Sequence, residues 1–241
     1  MSGFESKPAA REAVWSRLEA EEQAAFPFPP TGRIPNFKGA RRAAERLLDD
    51  ALFDGVRRLK ANPDAPQRFV RELALERGIE LLVPTPRLRA GFLRLRPDAI
   101  PAAERRKAVS LSGMKRWGEK VELESMPEVD LIVTGCVAVT GEGKRCGKGE
   151  GYSDLEFGIL RELGHPVVPI VTTVHPIQIV EDFPRETHDI ALDLFATPDE
   201  SIRIEAPLEP PNGIDWDRLS ESDLEAMPVL AQLRQSSSPS R

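Results

Sequence analysis

The residues best suited to chemistry lie in one stretch, positions 141–154, reading Gly-Glu-Gly-Lys-Arg-Cys-Gly-Lys-Gly-Glu-Gly-Tyr-Ser-Asp. Gly147, Gly149 and Gly151 stand at every second position, where they remove the side chains that would hold a ligand off the backbone. Lys144, Arg145 and Lys148 supply cations, and Asp154 supplies a carboxylate at an expected helix entrance. Backbone N–H groups at a helix start, the positive end of its dipole and the cations together suit a polyphosphate. The carboxylate suits the magnesium that accompanies one. The spacing is neither G-x-x-x-x-G-K-[ST] nor G-x-G-x-x-G; positions 147–151 give G-x-G-x-G. From pattern alone the stretch is a phosphate loop or a charged surface turn.

The elements that must position this loop are legible on both sides. Apolar runs at 131–133 and 137–139 predict one strand over 130–139. The amphipathic run after the loop predicts a helix over 154–163, closed by Gly164. Upstream, Ala10, Val14 and Leu18 recur at helical spacing within residues 1–25. Lys7 and Arg11, four apart, share one face of that helix, either as ligands for an anion or as a solvated charged face. Further helices are predicted over 40–53 and 66–77 and in part of 101–120. Short strands are predicted at 56–59, 79–83, the end of 85–95, 165–171, 192–195 and 202–204. This alternation argues for a parallel sheet with helices packed on it. Arg87, Arg89, Arg94 and Arg96 are either an anion site or solubilisers of an edge strand.

Composition narrows the classes. A chain of 241 residues with 40% hydrophobic and 30% charged residues can bury a real core. A net charge of −6 and the lack of an aromatic RNA-binding signature argue against a nucleic-acid partner. Two cysteines make no disulfide framework, and His165, His175 and His188 lack the spacing of a zinc site. No apolar run reaches the ~18–20 residues of a membrane span and no signal-peptide pattern opens the chain, so a cytoplasmic protein with no membrane partner is expected. Residues 208–241, rich in Pro, Gly and Asp, are expected to run over the surface, with 235–241 disordered.

The glycine loop resembles that of the 5-formyltetrahydrofolate cyclo-ligase family, whose members carry an arginine and a Gly-rich run ending in Tyr-Tyr-Asp. Arg145, Gly147, Gly149, Gly151, Tyr152 and Asp154 carry the match. Lys7 and Arg11 keep the spacing of that family's N-terminal Lys-x-x-Leu-Arg, with Ala10 at the apolar position, and His188-Asp189, residues 192–197 and Ile202 resemble its last strands. The resemblance implies a three-layer α/β domain with a central, mainly parallel sheet (NagB/RpiA/CoA-transferase-like) over residues 1–207, followed by an extension. It implies an enzyme using ATP and magnesium on a small molecule. In that reaction the formyl oxygen of 5-formyltetrahydrofolate attacks the γ-phosphate of ATP, N10 closes the ring, and phosphate leaves to give 5,10-methenyltetrahydrofolate. By the same resemblance Lys7 and Arg145 are catalytic, and Lys7, Arg11, Arg145, Gly147, Lys148, Gly149, Gly151 and Tyr152 hold the nucleotide. Asp154 holds the metal.

The loop departs from the family pattern at two positions. Glu150 puts a negative charge in a phosphate loop, which costs about 1–4 kcal/mol at ~4 Å from another charge. Ser153 replaces an aromatic ring. These departures resemble a divergent cyclo-ligase-like branch, part of which is tied to thiamine rather than folate. The alternatives are therefore ATP-dependent chemistry on a non-folate metabolite, or nucleotide binding without turnover.

Overall fold

The computed structural model describes residues 3–236. Helix α1 (Lys7–Ala20) starts where Ser6 caps it, the Ser6 hydroxyl accepting from the Ala9 N–H at 3.3 Å. It buries Ala10, Val14, Trp15 and Leu18. A short ribbon, β1 (Ala24–Ala25) against β2 (Asn36–Phe37), leads to α2 (Ala40–Leu48). Strand β3 (Arg58–Ala61), helix α3 (Gln67–Glu76) and strand β4 (Glu80–Pro84) form a parallel crossover. The chain then turns back through β5 (Phe92–Leu95), α4 (Arg105–Ala108), α5 (Leu111–Trp117) and β6 (Glu119–Val121). Next come β7 (Leu131–Val133), the hairpin β8 (Ala138–Thr140) and β9 (Arg145–Cys146), and α6 (Tyr152–Glu162). Strands β10 (Ile170–Thr173), β11 (Ile179–Val180), β12 (Leu194–Ala196) and β13 (Ser201–Arg203) precede α7 (Glu221–Ala226) and α8 (Pro228–Ser236).

Eight strands make the main sheet in the order β13-β12-β10-β7-β3-β4-β5-β6. The pairs from β12 to β4 are parallel, and the antiparallel pairs lie at the two ends. Alternate residues of a central strand enter opposite cores. Leu131 and Val133 pack with α2 and α3 residues such as Leu47 and Val70, while Ile132 packs with Phe157 and Ile159 of α6. Leu81 and Leu82, and Leu194 and Phe195, divide in the same way. Both faces are therefore covered, and a near-continuous apolar strand is what such a sheet requires. The expected three-layer α/β domain with a mainly parallel sheet is the fold found.

Several expectations are corrected in detail. Residues 130–139 are two strands in different sheets, because the chain breaks at Gly135. A Cβ there would fall 2.8 Å from Asp64 Oδ2 and 3.0 Å from Ile34, so any larger residue would have to displace those side chains. Strand β8 instead pairs with β9 and β11 in a small separate sheet. The strand expected at 56–59 lies at Arg58–Ala61, and the helix expected to reach 53 stops at Leu48.

The C-terminal residues do not merely run over the surface. Ile214, Met227, Val229, Leu230 and Leu233 are buried in the α6-side core. Glu162 Oε1 fastens the segment by accepting from the Ile214 N–H and the Trp216 Nε1–H, both at 3.2 Å. Of the segment expected to be disordered, residues 235 and 236 close α8, and 237–241 lie outside the described residues.

Candidate active site

The hairpin β8–β9 delivers Arg145 to the start of the glycine loop, and Gly151 delivers the chain into α6. The helix therefore begins at Tyr152, so Asp154 sits inside its first turn rather than at its entrance. The loop crosses the N-terminal part of α1: Arg11 Nε donates to the Gly147 carbonyl at 2.6 Å. Gly149 has φ = +107°, so glycine is required there for conformation; a Cβ would meet the Arg11 guanidinium only at 3.4 Å, an ordinary contact.

A cleft of about 1050 Å³ opens at this crossing. It is lined by Lys7, Arg11, Arg145, Gly147, Lys148, Gly149, Gly151, Tyr152 and Asp154, the residues to which the family resemblance gives a role. Lys144 does not line it; it pairs with Asp182 at 2.6 Å. Of the 87–96 arginines only Arg87 reaches the cleft. Arg94 instead joins Arg58 on Glu80, each at 2.6 Å, across the interior strands β3, β4 and β5, so it is no edge-strand solubiliser.

The cations differ in what they already hold. Lys7 makes an ion pair with Asp189 and another with Glu186 at 3.1 Å, and its hydrogen bond holds the Glu186 carboxyl below the ordinary range. Glu186, His188 and Asp189 bring ligand atoms within 4.8 Å of one another, but the Lys7 ammonium lies against both carboxylates and Arg218 contacts His188 Nδ1 at 3.0 Å. Their charge is met by cations of the chain itself. Lys148 pairs with Glu150 at 2.6 Å, which explains how the loop tolerates that acid. Arg145 is 5% exposed, and its buried Nε has no hydrogen-bond partner among the described residues. Its Nη2 lies 3.8 Å from Asp154 Oδ2.

An ATP–magnesium group fits this donor set. A buried guanidinium beside a glycine-rich backbone suits an anion. Asp154 Oδ1 accepts from the Ile190 N–H at 3.1 Å, while Oδ2 takes no hydrogen bond among the described residues. Oδ2 has the Arg145 guanidinium at 3.8 Å as its only ion-pair partner among the described residues, and phosphate and water could complete a magnesium site there.

A further wall of the cleft comes from residues the sequence reading passed over: Asn62, Asp64, Arg71 and Glu156. Arg71 is buried and donates to the carbonyls of Asn62, Asp64 (3.2 Å), Pro63 (3.2 Å) and Val109 (3.3 Å), clamping the loop after β3. Burial lowers its guanidinium to about 10, against the pull of Asp64. Burial also raises the Asp64 carboxyl, against the pull of Lys148 and Arg71. Lys60, at 1% exposure, forms an ion pair with Glu156. A lysine between the buried Leu59 and Ala61 was the available signal, since a charge in a central strand must have a partner.

Fold and cleft thus define an α/β protein with a cleft lined by the glycine loop, the start of α6 and the cations Lys7, Arg11, Arg145 and Lys148. The model of the 5-formyltetrahydrofolate cyclo-ligase family matches residues 5–198, and the chain belongs to that family. It is 43% identical over 239 residues to the methenyltetrahydrofolate synthase domain-containing protein of Mus musculus, covering 95% of this chain and 63% of that protein. The Homo sapiens protein of the same name is 40% identical over 238 residues, covering 95% and 61%. The chain therefore spans less than two thirds of the length of these relatives. The 5-formyltetrahydrofolate cyclo-ligase of Mycolicibacterium smegmatis is 28% identical over 141 residues, covering 53% of this chain and 64% of that one. An NMR structure of Aquifex aeolicus 5,10-methenyltetrahydrofolate synthetase matches with a TM-score of 0.52 at 21% identity, covering 84% of this chain and 95% of that chain; this is a likeness of fold. Among the described residues no helix is long and apolar enough to cross a membrane.

Proposed function

We propose that the chain is an ATP- and magnesium-dependent 5-formyltetrahydrofolate cyclo-ligase, releasing ADP and phosphate as it forms 5,10-methenyltetrahydrofolate. The observation that carries this reading is Arg145, buried beneath the glycine loop, lining the cleft and facing Asp154. Residues 1–207 are the catalytic domain in this reading, with 208–241 as its extension.

Arg145 and Arg11 neutralise phosphate charge, and loop N–H groups between Gly147 and Gly151 orient it. Lys7 joins them from the first turn of α1, held in place by Glu186 and Asp189. Asp154 holds magnesium, which supplies further charge neutralisation on the phosphate oxygens when bound. Such a reaction needs positioning and charge stabilisation more than a protein nucleophile. The thiols fit that division of labour: burial pushes Cys136 up to about 12 and raises Cys146 as well, so both stay protonated. Phosphate release by the purified chain tests the proposal. Release that depends on both MgATP and 5-formyltetrahydrofolate supports it; release unaffected by 5-formyltetrahydrofolate contradicts it.

A further inference from the structure

The C-terminal extension lies beyond the residues that the family model matches, yet it is fastened to the loop that holds Lys7. Two arginines make the connection. Arg185, in the loop between β11 and β12, donates through Nη2 to the Glu209 carbonyl of the extension at 2.5 Å and to the Asp189 carbonyl at 3.1 Å. Arg218, in the extension, places Nη1 3.0 Å from His188 Nδ1 and 3.8 Å from Glu186 Oε1. A guanidinium only donates, so the short contact is a hydrogen bond with His188 Nδ1 as the acceptor. The proton of the neutral ring is then on Nε2, which faces Glu186 Oε2 at 3.4 Å and Asp189 Oδ1 at 3.8 Å. Those are the two carboxylates that flank the Lys7 ammonium. Asp189 Oδ2 also accepts from the Glu186 N–H at 2.7 Å, which fixes the two acids relative to each other. Contacts therefore run from Arg218 through His188 and the two carboxylates to Lys7, and all five residues line the cleft.

We propose that Arg218 is a positioning residue for this cleft. It holds His188 in the Nε2–H tautomer with that N–H toward Glu186 and Asp189, and so keeps both carboxylates on Lys7 and the Lys7 ammonium at the cleft. In giving Lys7 a phosphate to meet, the inference rests on the proposed function; the tautomer and the order of contacts stand on the geometry alone. Stability is a poor reason for the arrangement. The Arg218 and Glu186 side chains are 53% and 52% exposed, and ion pairs so exposed contribute little to folding. Orientation is the better one. A ring whose Nδ1 has lost its donor can turn or take the other tautomer, and the acids then no longer hold Lys7 in one place. A displaced cation meets its anion less well, which appears as weaker binding.

The test uses the full chain with Arg218→Ala and Arg218→Lys, and two readouts. The first is the ¹H–¹⁵N spectrum of the imidazoles without ligand, readable because the chain has three histidines. The unaltered chain should show His188 with Nε2 protonated and Nδ1 bare, and Arg218→Ala should lose that single tautomer. The second is calorimetry with MgATP. Arg218→Ala should bind about fivefold more weakly, the scale of one exposed ion pair or hydrogen bond, and Arg218→Lys should restore most of the affinity. The ratio between the two chains should persist at about 1 M salt, where the Debye length is ~3 Å and a charge acting at a distance is screened. Neither readout uses turnover. A chain that binds MgATP in this way but makes no methenyltetrahydrofolate loses the proposed function and keeps the inference. A His188 tautomer indifferent to Arg218→Ala overturns it, as does an Nδ1–H ring in the unaltered chain. Unchanged MgATP affinity in Arg218→Ala, or a ratio that vanishes at high salt, also overturns it. Absence of MgATP binding by the unaltered chain overturns both readings.

Discussion

Lys60 of β3 and Glu156 of α6 meet inside the protein as an ion pair, with side chains only 1% and 4% exposed. The pair ties the central sheet to the helix that follows the glycine loop. Removing one partner leaves a buried charge uncompensated, and Glu156→Ala is expected to destabilise the chain by about 3–5 kcal/mol. The double change Lys60→Met with Glu156→Leu is expected to cost much less, because it removes both charges together. Urea denaturation of the two variants checks the contrast.

Gly149 is expected to resist substitution. Alanine there must adopt φ near +107° with its Cβ 3.4 Å from the Arg11 guanidinium. Backbone strain of this kind costs about 1–3 kcal/mol. Gly149→Ala should therefore lower thermal stability and weaken ATP binding together, read by calorimetry. Gly141→Ala, with open space around its Cβ, is the control and should do neither.

Lys7 is expected to matter for turnover more than for stability. Its loss removes a cation from the cleft and frees Asp189 and Glu186 to repel an anionic ligand. Lys7→Ala should lower kcat/KM for ATP by about 10²-fold, the scale seen for loss of one charge-stabilising donor. Steady-state kinetics with ATP varied checks this.

The acid limb of stability should depend on Glu80. Burial raises its carboxyl, but hydrogen bonds from Arg94 and Arg58 outweigh that, so the group sits below its ordinary 4.5 in the folded protein. A depressed carboxylate contributes stability that is present above the unfolded value and is lost as pH falls through the folded one. Glu80→Gln should flatten the fall in stability below about pH 4.5. Denaturation midpoints measured from pH 6 down to about pH 3 test it.

The C-terminal helices should be part of the folding unit. Leu230 is fully buried beside Phe157 and Ile159, so Leu230→Ala is expected to cost about 2–5 kcal/mol. A surface-running tail would show almost no effect in the same denaturation experiment.

Legibility in the sequence varies by element. The alternate burial of Leu131, Ile132 and Val133 follows from an apolar run in a sheet covered on both faces, and such runs are visible in a sequence. The glycine loop was visible because its residue types are unusual together. The break at Gly135 was not, because it depends on Asp64 and Ile34 arriving from distant parts of the chain. The burial of Leu230 and Leu233 was hidden by the Pro- and Asp-rich composition before them. The hydrogen bonds from Lys60 to Asn62 and from Asn62 to Ser153 join β3, the loop after it and α6, and no local pattern announces them.

The most direct test of the central claim is the appearance of methenyltetrahydrofolate, followed by its absorbance, when the chain is mixed with 5-formyltetrahydrofolate and MgATP. The account predicts product with the unaltered chain and a loss of at least about 10²-fold in rate for Asp154→Ala. No product from a folded chain that binds MgATP would contradict the cyclo-ligase assignment, and full activity in Asp154→Ala would contradict the role given to that carboxylate.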